Sequence, residues 1–214
     1  GMNRSADIDA FLQAAGWDMA QRAPLAGDAG NRKYERLIHP KKGPTILMDA
    51  DPISGEDIQP FLNIAAHLKG CDLSAPEIYA ANHSLGLILL EDFGDQLLFD
   101  VAYTTPELEY PLYQLCLDAL AQLHQKPPPP KVGSYFPQAM AQAAEITLQW
   151  YCSPDIAAAV ATELRQHLDS LDWTHPVLVL RDYHAQNVVY RPEQSGLAQI
   201  GLLDFQDAEL GHPL

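Results

Sequence analysis

Two runs near the end of the sequence, Val179-Leu-Arg-Asp-Tyr-His-Ala-Gln-Asn187 and Ile200-Gly-Leu-Leu-Asp-Phe-Gln206, decide the fold. Asp182 and Asn187 have the spacing of the catalytic loop of kinases, in which the Asp accepts a hydrogen bond from the substrate hydroxyl and the Asn oxygen ligates metal. Asp204 ends an apolar, strand-like run, where the metal-binding Asp of a kinase belongs. The pattern therefore predicts phosphoryl transfer, with Asp182, Asn187 and Asp204 as catalytic residues and with Asn187 and Asp204 as metal ligands.

Carboxylate and amide oxygens are hard ligands that suit Mg²⁺, which shares its coordination shell with substrate phosphates. We therefore predict ATP and Mg²⁺ as cofactors. Asp and Asn also favour turns for purely structural reasons. His124, near a predicted helix end, and His184, inside the loop, are more often structural hydrogen-bond partners than acid–base groups.

Charge and composition exclude several classes of partner. The 214 residues include 13 Lys and Arg against 28 Asp and Glu, a formal net charge of -15, which argues against nucleic acid and against an anionic membrane surface. The excess of negative side chains either attracts a cationic substrate or serves only to keep the protein surface solvated. We predict a small-molecule substrate and leave protein partners open.

The three cysteines have neither disulfide nor zinc spacing, and no leader or membrane span is apparent, so a cytoplasmic location is expected.

The first part of the chain has the pattern of a small antiparallel sheet with helices. Apolar spacing predicts a helix over residues 5–17, capped by Ser5. Residues 23–78 contain strand-length segments separated by turns, with a helix over 56–69. Residues 85–90 are predicted to form a buried strand that ends at residues 91–95.

Beyond residue 95 the pattern becomes helical. A capping residue before a proline, Thr105-Pro106, predicts a helix that ends near residue 126. Further helices are predicted over 138–151 and 153–171, and short strands over 177–180, 188–190 and 197–203. The fold class is therefore α+β and bilobal: a first lobe over 1–90 with an antiparallel sheet and one main helix, a hinge over 91–95, and a helix-rich catalytic lobe over 96–214.

Several motifs together resemble the aminoglycoside phosphotransferase family, which has the protein-kinase-like fold. The catalytic loop and the Asp204-Phe205 metal motif match its pattern, Leu87-Ile-Leu-Leu-Glu-Asp-Phe-Gly94 is similar to its hinge strand, and Ala121-Gln-Leu-His124 is similar to the end of one of its helices. More narrowly, Arg32-Lys-Tyr-x-Arg36 and Leu47-Met-Asp-Ala50 resemble the bacterial subgroup that phosphorylates the anomeric hydroxyl of N-acetylmuramate and N-acetylglucosamine.

The resemblance implies a nucleotide site in the first lobe. It assigns the adenine edge to the backbone of Glu91 and Phe93, and the phosphates to Gly30 and Asn31 in the turn that begins at Gly27. That turn is also explained as a simple hairpin connection.

One element of the kinase pattern is missing. The strand over 45–49 should carry the Lys that contacts the α- and β-phosphates, but Met48 stands in its place. Arg32 or Lys33 in the preceding strand then supplies the positive charge, or nucleotide binding is weakened. Without the strand Lys, its usual Glu partner, which would be Glu56, has no evident role.

The sequence therefore predicts an ATP-dependent small-molecule kinase whose acceptor is an amino sugar or related sugar. An aminoglycoside or choline-type acceptor is the alternative, and a pseudokinase that binds nucleotide or a partner without transfer is an alternative of another class. The family continues with further helices after the Gly211-His-Pro213 segment, so we expect the C-terminal part to be missing from this sequence. The acceptor, ATP against GTP, and the oligomeric state are left open.

Overall fold

The computed structural model describes residues 3–26, 31–127, 133–135, 154–170, 177–179, 188–203 and 209–211. The chain divides into two compact units. The first contains Gly1–Leu62 and Pro76–Asp92, and the second contains Asn63–Ala75 and Phe93–Leu214.

Where the first unit is described, it is built on five strands: β1 Gln21–Pro24, β2 Lys33–His39, β3 Gly43–Asp49, β4 Ile78–Asn82 and β5 Leu87–Leu90. Their order in the sheet is β1-β2-β3-β5-β4, and every pairing is antiparallel. All four residues of β5 are buried, as expected for an uninterrupted apolar strand that lies between β3 and β4 inside the sheet. The predicted antiparallel sheet is confirmed.

One face of this sheet is covered by helix α1, Arg4–Ala14. Its buried residues Ile8, Phe11 and Leu12 form one apolar cluster with Leu37 of β2 and Leu47 of β3. The predicted cap, Ser5, is wrong. Asn3 caps the helix instead, because its side-chain oxygen accepts the Ser5 N–H at 3.0 Å.

The main helix of the sequence prediction is α2, Gln59–Gly70. It begins later than the predicted residue 56, because a short 3₁₀ turn over Pro52–Ser54 ends at Gly55 in the left-handed region, with φ 89°. The Asp57 side chain then accepts the Gln59 N–H at 2.9 Å at the start of the helix, which stabilises the later start.

The described helices of the second unit are α3 Leu98–Thr104, α4 Glu109–Leu123 and α5 Pro154–Ser170. The predicted helix start at Thr105 is wrong: Thr105 makes no capping hydrogen bond, and a 3₁₀ turn over Pro106–Leu108 precedes α4. The helix predicted over 138–151 lies outside the described residues. Within the described part of the chain, no helix is long and apolar enough to cross a membrane.

The described residues of the second unit also form five short strands, β6 Gly133–Tyr135, β7 Val177–Val179, β8 Val188–Tyr190, β9 Ile200–Leu202 and β10 Glu209–Gly211. β10 lies between β6 and β7, parallel to β6 and antiparallel to β7. β8 and β9 form an antiparallel hairpin. The strand predicted from residue 197 begins later, because residues Gly196–Gln199 form a 3₁₀ turn.

Candidate active site

The position expected to hold the kinase Lys is in the middle of the sheet of the first unit. Met48 of β3 occupies it and is only 1% exposed. In the register between β2 and β3, Met48 is opposite Tyr34, and Asp49 is opposite Lys33. Successive residues of a strand point to opposite faces of a sheet, so the Met48 side chain lies on one face and the Asp49 side chain on the other.

Arg32 lies beside Met48 and is only 8% exposed. Its Nε donates to Glu56 Oε2 at 2.8 Å, and its Nη1 lies 3.8 Å from the Met48 sulfur. Burial of the guanidinium disfavours its charge, but the hydrogen bond to Glu56 and the nearby Tyr34 outweigh this effect and raise the pKa of Arg32. Glu56, which has no evident role in the sequence pattern, therefore has a buried cationic partner.

Lys33, the other candidate cation, lies on the opposite face. Its register partner Asp49 accepts two hydrogen bonds from Arg4 of α1, at 2.5 and 3.1 Å. Directly opposed residues of paired strands project to the same side, so Lys33 shares the α1 face with Asp49. Lys33 is exposed. Of the two candidates, only Arg32 is adjacent to Met48.

Of the predicted phosphate turn over 27–31, the structure describes only the last residue, Asn31. Gly27 and Gly30 lie outside the described residues. Asn31 is exposed, and its Nδ2 donates to the Ser54 carbonyl oxygen at 3.2 Å. This bond ties Asn31 to the 3₁₀ turn before α2.

The predicted hinge begins with two anchored residues. The Glu91 N–H donates to the Glu77 carbonyl oxygen at 2.8 Å, and Glu91 Oε1 accepts the Glu77 N–H at 3.2 Å. Arg36 binds both oxygens of Asp92, at 2.7 and 3.1 Å, and the Asp92 side chain is only 6% exposed. Sequence reasoning missed Asp92. The available signal was the acidic pair Glu91-Asp92 after a buried strand, with Arg36 in the quoted motif as the partner of Asp92.

Phe93 belongs to the second unit and packs against the hairpin. The Arg191 guanidinium carbon lies 4.2 Å from the centroid of its ring. A Cβ added to Gly201 would lie 2.8 Å from Phe93 Cδ2. Gly201 is therefore required for the close approach of the Phe93 ring to β9.

Both edges of the hairpin are hydrogen-bonded to other segments of the second unit. The Leu202 N–H donates to the Ser74 carbonyl oxygen at 2.9 Å, and the Tyr190 N–H donates to the Gln96 carbonyl oxygen at 2.8 Å. The Ser74 hydroxyl also donates to the Ala198 carbonyl oxygen at 3.1 Å. These hydrogen bonds fix the position of both strands.

The three predicted catalytic residues, Asp182, Asn187 and Asp204, lie outside the described residues. The hairpin is nevertheless adjacent to two of them in sequence. Val188, which follows Asn187, is the register partner of Leu202, which precedes Asp204 by two positions. Where the structure is described, no group of three or more His, Cys, Asp or Glu side chains could hold a metal ion.

His124, at the end of α4, forms a hydrogen bond across the second unit. Its Nδ1 lies 2.8 Å from Nε2 of His167 in α5. Burial lowers the pKa of His167. This pairing is in keeping with a structural role for His124.

Comparison with known proteins assigns the family. The sequence model of the phosphotransferase enzyme family matches residues 21–214. The chain belongs to this family. Its fold is α+β and protein-kinase-like, as the sequence predicts.

Two relatives carry the same name. The N-acetylmuramate/N-acetylglucosamine kinase of Caulobacter vibrioides is 32% identical over 257 residues, covering 98% of this chain and 69% of the relative. The enzyme of that name from Pseudomonas aeruginosa is 27% identical over 210 residues, covering 91% of this chain and 58% of the relative. The chain thus spans only part of the length of the curated relatives it matches.

A solved structure with the same fold is the aminoglycoside phosphotransferase APH(3'')-Id of Streptomyces rimosus in complex with ADP and streptomycin. It is 15% identical, with a TM-score of 0.57, and the match covers 99% of this chain and 79% of that one. At this identity the likeness concerns the fold alone.

Proposed function

We propose that this family member is an ATP-dependent kinase that phosphorylates a hydroxyl of an amino sugar. The observation that carries the proposal is the 32% identity, over 98% of this chain, to a relative named N-acetylmuramate/N-acetylglucosamine kinase. The likeness to an aminoglycoside enzyme is at the level of fold, and one fold hosts many substrates. An amino sugar therefore ranks ahead of an aminoglycoside or choline as acceptor.

In this proposal Asp182 orients the acceptor hydroxyl, and Asn187 and Asp204 hold Mg²⁺. The register of the hairpin supports a shared metal site, because Val188, next to Asn187, pairs with Leu202, two positions before Asp204. Bound Mg²⁺ neutralises charge on the transferred phosphoryl group. An amide oxygen and a carboxylate are suitable ligands for this cation.

We assign the nucleotide to the lobe over 1–90, with the hinge over 91–95 and the catalytic lobe over 96–214. The backbone of Glu91 and Phe93 would bind the adenine edge. This assignment is supported by the hydrogen bonds of Glu91 to Glu77 and by the ion pair of Asp92 with Arg36, which hold this backbone in place. Asn31, Gly30 and the residues around Met48 would lie near the phosphates.

We also assign the reaction to the cytoplasm. Cys71 is a buried thiol outside any disulfide, and such thiols are typical of a reducing compartment.

The test is ADP release from Mg²⁺ and ATP with a panel of acceptors containing N-acetylmuramate, N-acetylglucosamine, aminoglycosides and choline. We expect turnover with the amino sugars above the background without acceptor. Asp204→Ala should abolish it, since removal of a metal ligand removes charge stabilisation in the transition state.

Retained activity in Asp204→Ala would show the metal assignment to be wrong. ATP binding that is equal with and without Mg²⁺, together with no turnover on any acceptor, would indicate a pseudokinase. Turnover only with aminoglycosides or choline would replace the amino sugar as the acceptor.

A further inference from the structure

We propose that the ion pair between Arg32 and Glu56 replaces the kinase pair of a strand Lys and a helix Glu. Arg32 would bind the nucleotide phosphates, and Glu56 would be the positioning residue that orients it. The inference rests on the proposed function, because it concerns the same nucleotide site. It also explains how the chain could bind phosphate with Met48 in the Lys position.

The placement of Arg32 carries the inference. Its Nη1 lies 3.8 Å from the sulfur of Met48, the residue at the position of the missing Lys. The positive charge is therefore supplied from the chain just before β2 instead of from β3, on the same face of the sheet. Lys33 belongs to the face that carries Asp49 and α1, so it is not the replacement.

The chemistry of the guanidinium fits a phosphate. Arg has five N–H donors in a planar fork and can bind two phosphate oxygens at once. Its Nε is bound to Glu56 at 2.8 Å, which fixes the plane of the fork. The terminal nitrogens contact the Met48 sulfur at 3.8 Å and the Asp57 carbonyl oxygen at 3.5 Å, and the Tyr34 side chain is a further hydrogen-bond partner of the guanidinium. A phosphate carries a full negative charge and is a stronger acceptor than a thioether or a carbonyl oxygen.

A purely structural role is the competing explanation. The same pair connects the start of β2 to the segment before α2, and it could serve only to hold these segments together. Buried ion pairs, however, add little net stability relative to apolar residues of the same size. The two roles differ in their effect on phosphate recognition, which can be measured apart from stability.

The experiment compares the affinities of the full chain for MgATP and for adenosine by calorimetry or by competition. We expect Arg32→Met to weaken MgATP binding by about 10- to 100-fold, the range for a lost hydrogen bond to a charged group, and to change adenosine affinity by less than about twofold. Glu56→Gln should weaken MgATP binding by a smaller factor. Arg32→Lys, which keeps the charge without the fork, should be intermediate.

The matched control is Arg4→Met, which removes an arginine–carboxylate pair from the other face of the same sheet. It should lower the melting temperature without changing the ratio of the two affinities. A structural role for Arg32 predicts the same result for Arg32→Met. An unchanged ratio in folded Arg32→Met would therefore overturn the inference.

A rescue experiment sharpens the test. Met48→Lys in the Arg32→Met background returns the cation to β3, and we expect it to restore most of the MgATP affinity. Met48→Leu in the same background should not. Melting curves would first show that both double variants are folded. Equal MgATP affinities in the Met48→Lys and Met48→Leu double variants would then contradict the idea that a cation at position 48 can replace Arg32. If the unaltered chain binds no MgATP, the proposed function itself fails, which is a distinguishable result.

Discussion

The sheet of the first unit and the hairpin of the second unit are stabilised in different ways. The sheet depends on side chains: an apolar cluster under α1 and arginine–carboxylate pairs on both faces. The hairpin also buries its side chains, with Val189 and Ile200 at most 1% exposed, and it is further held by main-chain hydrogen bonds at both edges and by one close approach to Gly201. Both regions should therefore lose stability when side chains are removed, and the hairpin should in addition be sensitive to atoms added at Gly201.

The largest expected effect is on the sheet. Leu47 is 1% exposed and belongs to the cluster under α1, so Leu47→Ala should reduce the free energy of unfolding by about 3 kcal/mol through lost burial and a residual cavity. Urea denaturation measures this loss. The control is Ile38→Ala on β2, where the side chain is 51% exposed and the loss should stay below about 0.5 kcal/mol. Equal losses in the two variants would contradict the assigned core.

A smaller effect is expected at the hairpin, where a single methyl group is added. Gly201→Ala places a Cβ 2.8 Å from Phe93 Cδ2 and 3.2 Å from Arg191 Cδ. Overpacking of this kind costs about 2 kcal/mol, measured by the same denaturation. Phe93→Leu should recover part of the loss in the double variant, because the two changes share one contact.

Gly70→Ala is the matched control for the added methyl group, since a Cβ there meets no atom within 4 Å. It should not destabilise the chain. Additive losses in the Gly201→Ala, Phe93→Leu double variant would show that the ring is not the group that excludes a side chain at Gly201.

The smallest effect concerns a side-chain contact within the second unit, the hydrogen bond between His124 and His167. Burial holds the pKa of His167 below its ordinary value of 6.5, so the unfolded chain binds protons more strongly than the folded one. The stability from neutral His167 is complete above pH 6.5 and is lost as the pH falls through the lowered value.

Measuring the free energy of unfolding from about pH 8 to about pH 5 tests the predicted loss of stability toward acid. Desolvation, together with the charge of Lys126, also lowers the pKa of His67, so the dependence has two contributions. His167→Phe should make the fall in stability toward acid shallower without removing it. An unchanged slope would show that His167 titrates alike in both states.

The fold was largely predictable, because its signals are local. The apolar run of β5 and the spacing of α1 and α2 appear directly in the sequence, and the predicted sheet is confirmed. Helix boundaries were less predictable. Thr105-Pro106 has the pattern of a helix start but leads into a 3₁₀ turn, and α3 was missed.

The candidate site was predictable only as a set of residue types. Sequence alone identified the missing strand Lys and two neighbouring cations, Arg32 and Lys33, as replacements. It could not choose between them, because adjacent residues carry the same charge but meet opposite faces of a sheet. Asp92 was missed for a related reason: its partner Arg36 is 56 positions away in the sequence.

By itself, the sequence determined the family and the α+β fold, since each depends on short motifs of fixed spacing. It also predicted the oxygen ligands that we propose for the metal. Only the tertiary structure decided that Arg32 lies against Met48 with Glu56 as its partner, that Lys33 belongs to the α1 face, and that Gly201 lies against the Phe93 ring. The physical reason is that these contacts depend on strand register and on which face of a sheet a side chain meets, and both are settled by pairing between distant segments.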